Sequence, residues 1–354
     1  MAVSILVLFK MYGIKTAFHL KINKIITFNH SKKQILKPLK LRSIVYFLLN
    51  FIFLGVFSET SFAQIFKVDV QIKNQPSNYI LFGSVKGDEF LPIDSLMLNQ
   101  SFGKISFNFP ENSQSGIYRI IFGKTAAARI MNEPPQQLDF IFDNENLAFD
   151  TDFKAPVENL KVIQSKENSV WYGFIAKDKL IRQNIELLGK EIDSYWQKGD
   201  SASVIKLANE FNQLQMERDM LVMQTSQENR GLFVSQLIKN LREPLLDGYL
   251  TPTERKLSFK KDFFKTLDFT NPALINSSVY TDNIFKYLVS YNNYEFTQKQ
   301  REAEYIKAVD AIVPNIKKNE QVYKFLMDYM NHGFKVLKME NVINYISKKY
   351  NYPG

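Results

Sequence analysis

The hydrophobic period changes partway along this chain, and the change calls for two kinds of structure. From Phe66, the apolar residues Val68, Val70 and Ile72 alternate with Lys67, Asp69, Gln71 and Lys73. Successive strand side chains point to opposite faces, so this spacing places one face in a core and the other in water. Ile105, Phe107 and Phe109 alternate with Lys104, Ser106 and Asn108 in the same way. Further strands are expected at Tyr79–Val85, Phe90–Leu98, Ile117–Phe122, Ala127–Met131, Leu138–Phe142, Leu147–Asp152 and Val157–Ile163. Turn-forming stretches separate them, among them Lys86-Gly87-Asp88, Glu133-Pro134-Pro135 and Asp143–Asn146. Short strands at this spacing predict an antiparallel β-sandwich or partly closed barrel over residues 64–164.

After Ser165 the period becomes helical. Trp171, Phe174, Ile181, Ile185, Leu188, Ile192 and Tyr195 fall on one stripe, with Asp178 the one polar residue in the series. Lys198-Gly199-Asp200 stops that helix and caps the next, in which Val204, Leu207, Phe211, Leu214 and Leu221 repeat the stripe. The pair reads as a long antiparallel helical hairpin. Thr251-Pro252-Thr253-Glu254 and Thr297-Gln298-Lys299-Gln300 have the form of capping boxes. Helices are also expected at Val279–Tyr291, Arg301–Val313, Gln321–Asn331 and Lys335–Tyr350. The expected class is therefore α+β, with the β domain at 64–164 and an all-helical domain at 165–354.

The residues ahead of these domains read as a leader. Lys37, Lys40 and Arg42 form a basic region, Ile44 to Phe57 an apolar run, and Ser61 and Ala63 the small residues of a signal-peptidase site. Residues 40–63 are thus expected to be a signal peptide cut between Ala63 and Gln64. A spanning helix needs about 20 apolar residues, more than this run supplies. Residues 1–39 read as a mis-assigned or extended leader, with synthesis starting near Leu39 or Leu41; an unusually long basic region is the rival reading. The expected destination is outside the cytosol. No stretch after Gln64 is apolar enough to predict a stable membrane span.

Charge and cysteine usage narrow the chemistry. The chain carries a formal +9, but nine of its 45 Lys and Arg and only one of its 36 Asp and Glu precede Gln64, which leaves +1 for the remainder. That balance gives no basic footprint for nucleic acid. There is no cysteine, hence no disulfide, thiol nucleophile or Cys-x-x-Cys pair. Of three histidines only His332 follows Gln64.

Four groups of residues are candidate sites. Asp139, Asp143, Glu145, Asp150 and Asp152 crowd one segment, as paired hydrolytic carboxylates or a calcium loop would, but a solvated hairpin turn accounts for them better. His332 before Gly333 suits a helix end and a left-handed cap. Gly83 to Gly87 lacks phosphate-loop spacing. Tyr291, Tyr294 and Phe296, with Tyr280 and Tyr287, could form a stacking platform for sugars, though such spacing more often marks core. No catalytic, cofactor-binding or metal-ligating residue is assigned.

The segment Val157–Ala176, with Asn159-Leu160-Lys161-Val162 and Ser165-Lys166-Glu167-Asn168 at its centre, resembles the strand-to-helix junction of a Gram-negative envelope family. That family comprises thioredoxin-like thiol–disulfide oxidoreductases of the TlpA/ResA type, with a β domain, a helical domain and a C-terminal thioredoxin-like domain. Gly87–Ser95, Gly103–Phe109, Gly116–Gly123 and Leu267–Leu288 are similar to other pieces of it, in order. The resemblance implies a periplasmic or envelope protein lacking the redox domain, since Asn351-Tyr352-Pro353-Gly354 stands where the connection to that domain would begin. Disulfide exchange needs a sulfur nucleophile. The expectation is thus a non-catalytic accessory or scaffold module, partnered by a thioredoxin-like or other envelope protein. The alternative is an envelope glycan- or peptide-binding sandwich, and a carboxylate hydrolase ranks third.

Overall fold

A computed structural model describes residues 65–76, 78–98 and 103–353. The leader, its division at residue 39 and the cleavage between Ala63 and Gln64 lie outside the described residues. Among the described residues, eight strands form two four-stranded sheets. Strands β1 (Lys67–Lys73), β4 (Gly103–Asn108), β7 (Leu147–Asp152) and β8 (Lys161–Gln164) make the first, in the order β4-β1-β7-β8. Strands β2 (Asn78–Lys86), β3 (Glu89–Leu98), β5 (Gly116–Gly123) and β6 (Gln136–Phe142) make the second, in the order β3-β2-β5-β6. The sheets stack as an open sandwich and do not close into a barrel. Every pairing is antiparallel except β1 with β7, which run parallel.

The alternation read from the sequence is the alternation observed. Val68, Val70 and Ile72 of β1 face inward, with Ile105 and Phe107 of β4 beside them. Facing them from the other sheet are Phe82, Tyr118, Phe140 and Phe142. Phe82 stacks on Phe107 at 5.1 Å between ring centroids, and Phe109 on Phe142 at 3.9 Å, so the interior of the sandwich is largely aromatic.

Two expected strands are corrected. Ala127–Met131 is not a strand but lies in the short helix α1 (Ala126–Ile130), started by the Thr125 hydroxyl, which accepts from Ala128 N–H at 3.0 Å. Three alanines in a row favour that turn over a pleat. The strand expected over Val157–Ile163 forms only as β8. Its first residues are consumed in turns, where Asn159 N–H donates to Ala155 O and Leu160 N–H to Val157 O.

The helical hairpin is α2 (Lys166–Lys198) and α3 (Ser201–Glu228). Gly199 sits at φ 73°, and the Asp200 N–H reaches back to Tyr195 O at 3.0 Å. Asp200 then accepts from Ser203 N–H and so caps α3. The remaining helices are α4 (Phe233–Lys239), α5 (Pro252–Asp262), α6 (Val279–Val289), α7 (Gln298–Ile316), α8 (Glu320–Val336) and α9 (Glu340–Tyr350). Thr251 and Thr297 both form complete capping boxes. No described helix is long and apolar enough to cross a membrane.

The second sheet lies between the first sheet and the helices. Phe82, Ile120 and Phe140 point into the sandwich, whereas Val85, Ile117 and Ile141 point outward into the helical core. The described residues form one compact unit. Three contacts lock the layers. Gly87, at φ 61° in the β2–β3 turn, donates its N–H to Ile275 O at 3.0 Å. Asn276 donates to Ser115 O at 3.2 Å beside Gly116, where a Cβ would meet the asparagine. The third is the Ser165–Asn168 junction. Ser165 caps α2 by accepting from Asn168 N–H, and its own hydroxyl donates to Glu145 at 2.6 Å. Glu167 accepts the N–H groups of Phe233 and Val234 and so caps α4. Asn168 pairs with the outer edge of β6 at Ile141.

Candidate functional site

The five acids singled out by the sequence are not brought together as a site. Asp139 and Arg119 form a two-bond ion pair across β5 and β6, at 2.6 and 2.7 Å. Asp143 accepts from Ser115, Glu145 from Ser165, and Asp152 from Asn74 and the Lys154 N–H. Asp150 lies on the outer face of β7, between inward Phe149 and Thr151. Among the described residues, no three His, Asp or Glu side chains converge as a metal would require.

His332 and Gly333 are not a helix end, contrary to expectation. Helix α8 runs through them to Val336, and the left-handed residue is Lys338 at φ 55°. Met339 N–H closes the end on Phe334 O at 2.9 Å. The apolar stripe decides this: Met330 and Phe334 continue the buried face past Gly333, so packing carries the helix on. Gly83 sits at a β-bulge and Gly87 in a hairpin turn, in keeping with the absence of a phosphate loop. The aromatic platform does not assemble. Tyr280 and Tyr287 are core residues, and the Tyr291 ring is covered by the Lys260 ammonium at 3.6 Å. Only Tyr294 stands open, at 95% exposure.

The structure instead assembles polar groups in a cleft of about 720 Å³ between the hairpin helix α2 and the helical body. Its organising residue is Arg218 on α3. Arg218 Nε donates to Asp178 Oδ1 at 2.7 Å, Nη1 to Glu243 Oε2 at 3.0 Å and Nη2 to Leu241 O at 3.1 Å. Lys286 of α6 takes the other oxygen of Glu243. Burial pushes the Glu243 carboxyl up, but Lys286 and Arg218 beside it outweigh that and hold it below the ordinary range. Both Asp178 and Arg218 are buried. A buried pair of this kind persists because each partner satisfies the other, and removing one strands a charge.

Trp171, Phe174 and Ile175 of α2 with Leu237 of α4 supply an apolar wall beside this network. Arg218, Glu243 and Lys286 are not singled out by sequence spacing, although the sequence carries one signal for them. Asp178 is the single polar residue on an otherwise apolar stripe, and a buried acid there requires a cationic partner. The partner lies 40 residues away on the next helix, a pairing that sequence spacing alone does not reveal.

No family model matches the chain, and no curated protein matches it.

Proposed function

We propose that the chain is a non-catalytic, exported module of the bacterial envelope. It would dock on a thioredoxin-like or other envelope protein as the accessory part of a thiol–disulfide system. The observation that supports docking is the asymmetry of the second sheet. Its β6 edge is closed by α2, whereas β3 has no strand on its outer side among the described residues. Strand β3 exposes Leu91, Ile93 and Met97, at 41, 38 and 45%. Pro92 and the neighbouring bulge leave the Ile93–Leu98 half as the better surface for a partner. The charges of the buried network satisfy one another, which suits a rigid platform better than a reactive site. With no cysteine in the chain, any dithiol would come from the partner.

Cross-linking in the native envelope tests this reading. A partner containing a Cys-x-x-Cys domain should be recovered with the wild type and lost with Ile93→Lys. Recovery that ignores Ile93→Lys, or reduction of insulin by the purified chain alone, would overturn it. The alternative of glycan or peptide binding draws its support from the cleft beside α2, not from the tyrosines.

A further inference from the structure

The cleft between α2 and α6 carries charges that its own network leaves over. Eight ionisable side chains line it, four of each sign: Asp178, Glu186, Glu243 and Asp282 against Lys179, Arg182, Arg218 and Lys286. Arg218 is taken by Asp178 and Glu243, and Lys286 by Glu243. Glu186 pairs with Lys190 at 2.6 Å. Three groups remain. Lys179 has no ion pair among the described residues, and Arg182 makes no close pair: it approaches the already engaged Asp178 at 3.9 Å and acts only at longer range on Glu186 and Glu243. Asp282 has no cation within ion-pair distance among the described residues; Ser278 donates to it at 2.7 Å and holds its carboxylate in place.

The leftover cations thus lie on α2 and the leftover anion on α6, with Trp171, Phe174 and Leu237 also lining the cleft. A cleft of this size holds a small ligand, and apolar walls with a few convergent polar groups are the usual composition of a binding pocket. A ligand bearing one charge would satisfy only one side. We propose that the cleft binds a short zwitterionic peptide with apolar side chains. Its carboxylate meets Arg182 and Lys179, its ammonium meets Asp282, and its side chains pack on Trp171. This inference rests on the binding alternative above and is independent of docking at β3, so each can fail alone.

The chain has two tryptophans, Trp171 and Trp196. Trp196→Phe therefore leaves Trp171 as the single reporter in the cleft. Leucyl-phenylalanine titrated into this variant should shift the Trp171 emission saturably. N-acetyl-leucyl-phenylalanine and leucyl-phenylalanine amide should each bind about tenfold or more weakly, the scale of one lost charge-assisted bond. Arg182→Gln should reduce the penalty of the amide, since Lys179 remains, and Asp282→Asn should abolish the penalty of the acetyl group. Both side chains are exposed, so these variants keep the fold. No saturable shift, equal binding of all three peptides, or penalties untouched by the two substitutions would each overturn the proposal. Ile93→Lys should leave the titration unchanged.

Discussion

The side-chain amide of Asn168 replaces a neighbouring strand for Ile141: Oδ1 accepts the Ile141 N–H at 2.8 Å, and Nδ2 donates to the Ile141 carbonyl at 2.7 Å. One turn along α2, the Tyr172 hydroxyl donates to the Asp139 carbonyl, the next outward group on the same edge. The N-terminal turns of a helix thus close a sheet edge that would otherwise recruit another strand. Asn168→Ala leaves a buried donor and acceptor unpaired and should cost about 2–6 kcal/mol, at roughly 1–3 kcal/mol per orphaned group. Urea denaturation measures it, and a loss under about 0.5 kcal/mol, the scale of an ordinary surface change, would show that the pairing matters little.

Arg218 tethers the hairpin to the body. Arg218→Met strands Asp178, while Glu243 keeps Lys286, and should cost about 3–5 kcal/mol, the range for breaking one side of a buried ion pair. Combining Arg218→Met with Asp178→Leu should recover part of that loss, because the buried charge left behind is removed. Equal destabilisation of the single and double variants would mean that lost packing, not charge, sets the cost.

Gly87 needs the left-handed region, with φ at 61°, and a Cβ there would come within 2.8 Å of the Phe325 ring. Gly87→Ala should therefore destabilise by at least about 1–2 kcal/mol from backbone strain alone. In urea denaturation the Gly87→Ala, Phe325→Leu pair separates the causes in part: the smaller side chain should relieve the contact with that ring and leave the backbone strain and the contact with Thr281 Cγ2 at 3.0 Å.

Stability should fall on acidification. Burial tends to raise the carboxyls of Glu243, Asp268 and Asp310, but charged and hydrogen-bonding neighbours overcome it: Lys286 and Arg218 for the first, Thr270 and Lys239 for the second, Tyr350 and Lys349 for the third. A folded pKa below the unfolded one gives stability that is complete above about pH 4–5 and lost as pH falls through the folded value. Glu167 and Asp193 run the other way, since burial raises their carboxyls and protonation relieves the cost. The lowered carboxyls, Asp69 among them, outnumber these two and predict a falling urea midpoint between pH 7 and 3, with a shallower slope in Glu243→Gln. A midpoint that rose over that range would contradict the sign of these shifts.

Much of the architecture was legible because it depends on near neighbours. Alternation at Phe66–Lys73 and the stripe from Trp171 to Tyr195 each record which face is buried. Gly199, Asp200, Thr251 and Thr297 act on backbone groups within a few residues of themselves. The misreadings come from competition. Ala127–Met131 is apolar enough for a strand, but Thr125 and three alanines start a helix there. Gly333 looked like a stop, but burial of Met330 and Phe334 carries α8 past it.

By itself the sequence determined the α+β class, the hairpin and its caps, and the absence of any thiol, since these follow from residue identity and short-range periodicity. Only the tertiary structure decided that the second sheet lies between the first sheet and the helices, that Asn168 closes the β6 edge, and that Asp178, Arg218, Glu243 and Lys286 meet beside one cleft. Those pairings join residues 25 to 43 positions apart. Such contacts form only when several elements pack at once, and a buried polar group records in the sequence that it needs a partner without recording which one.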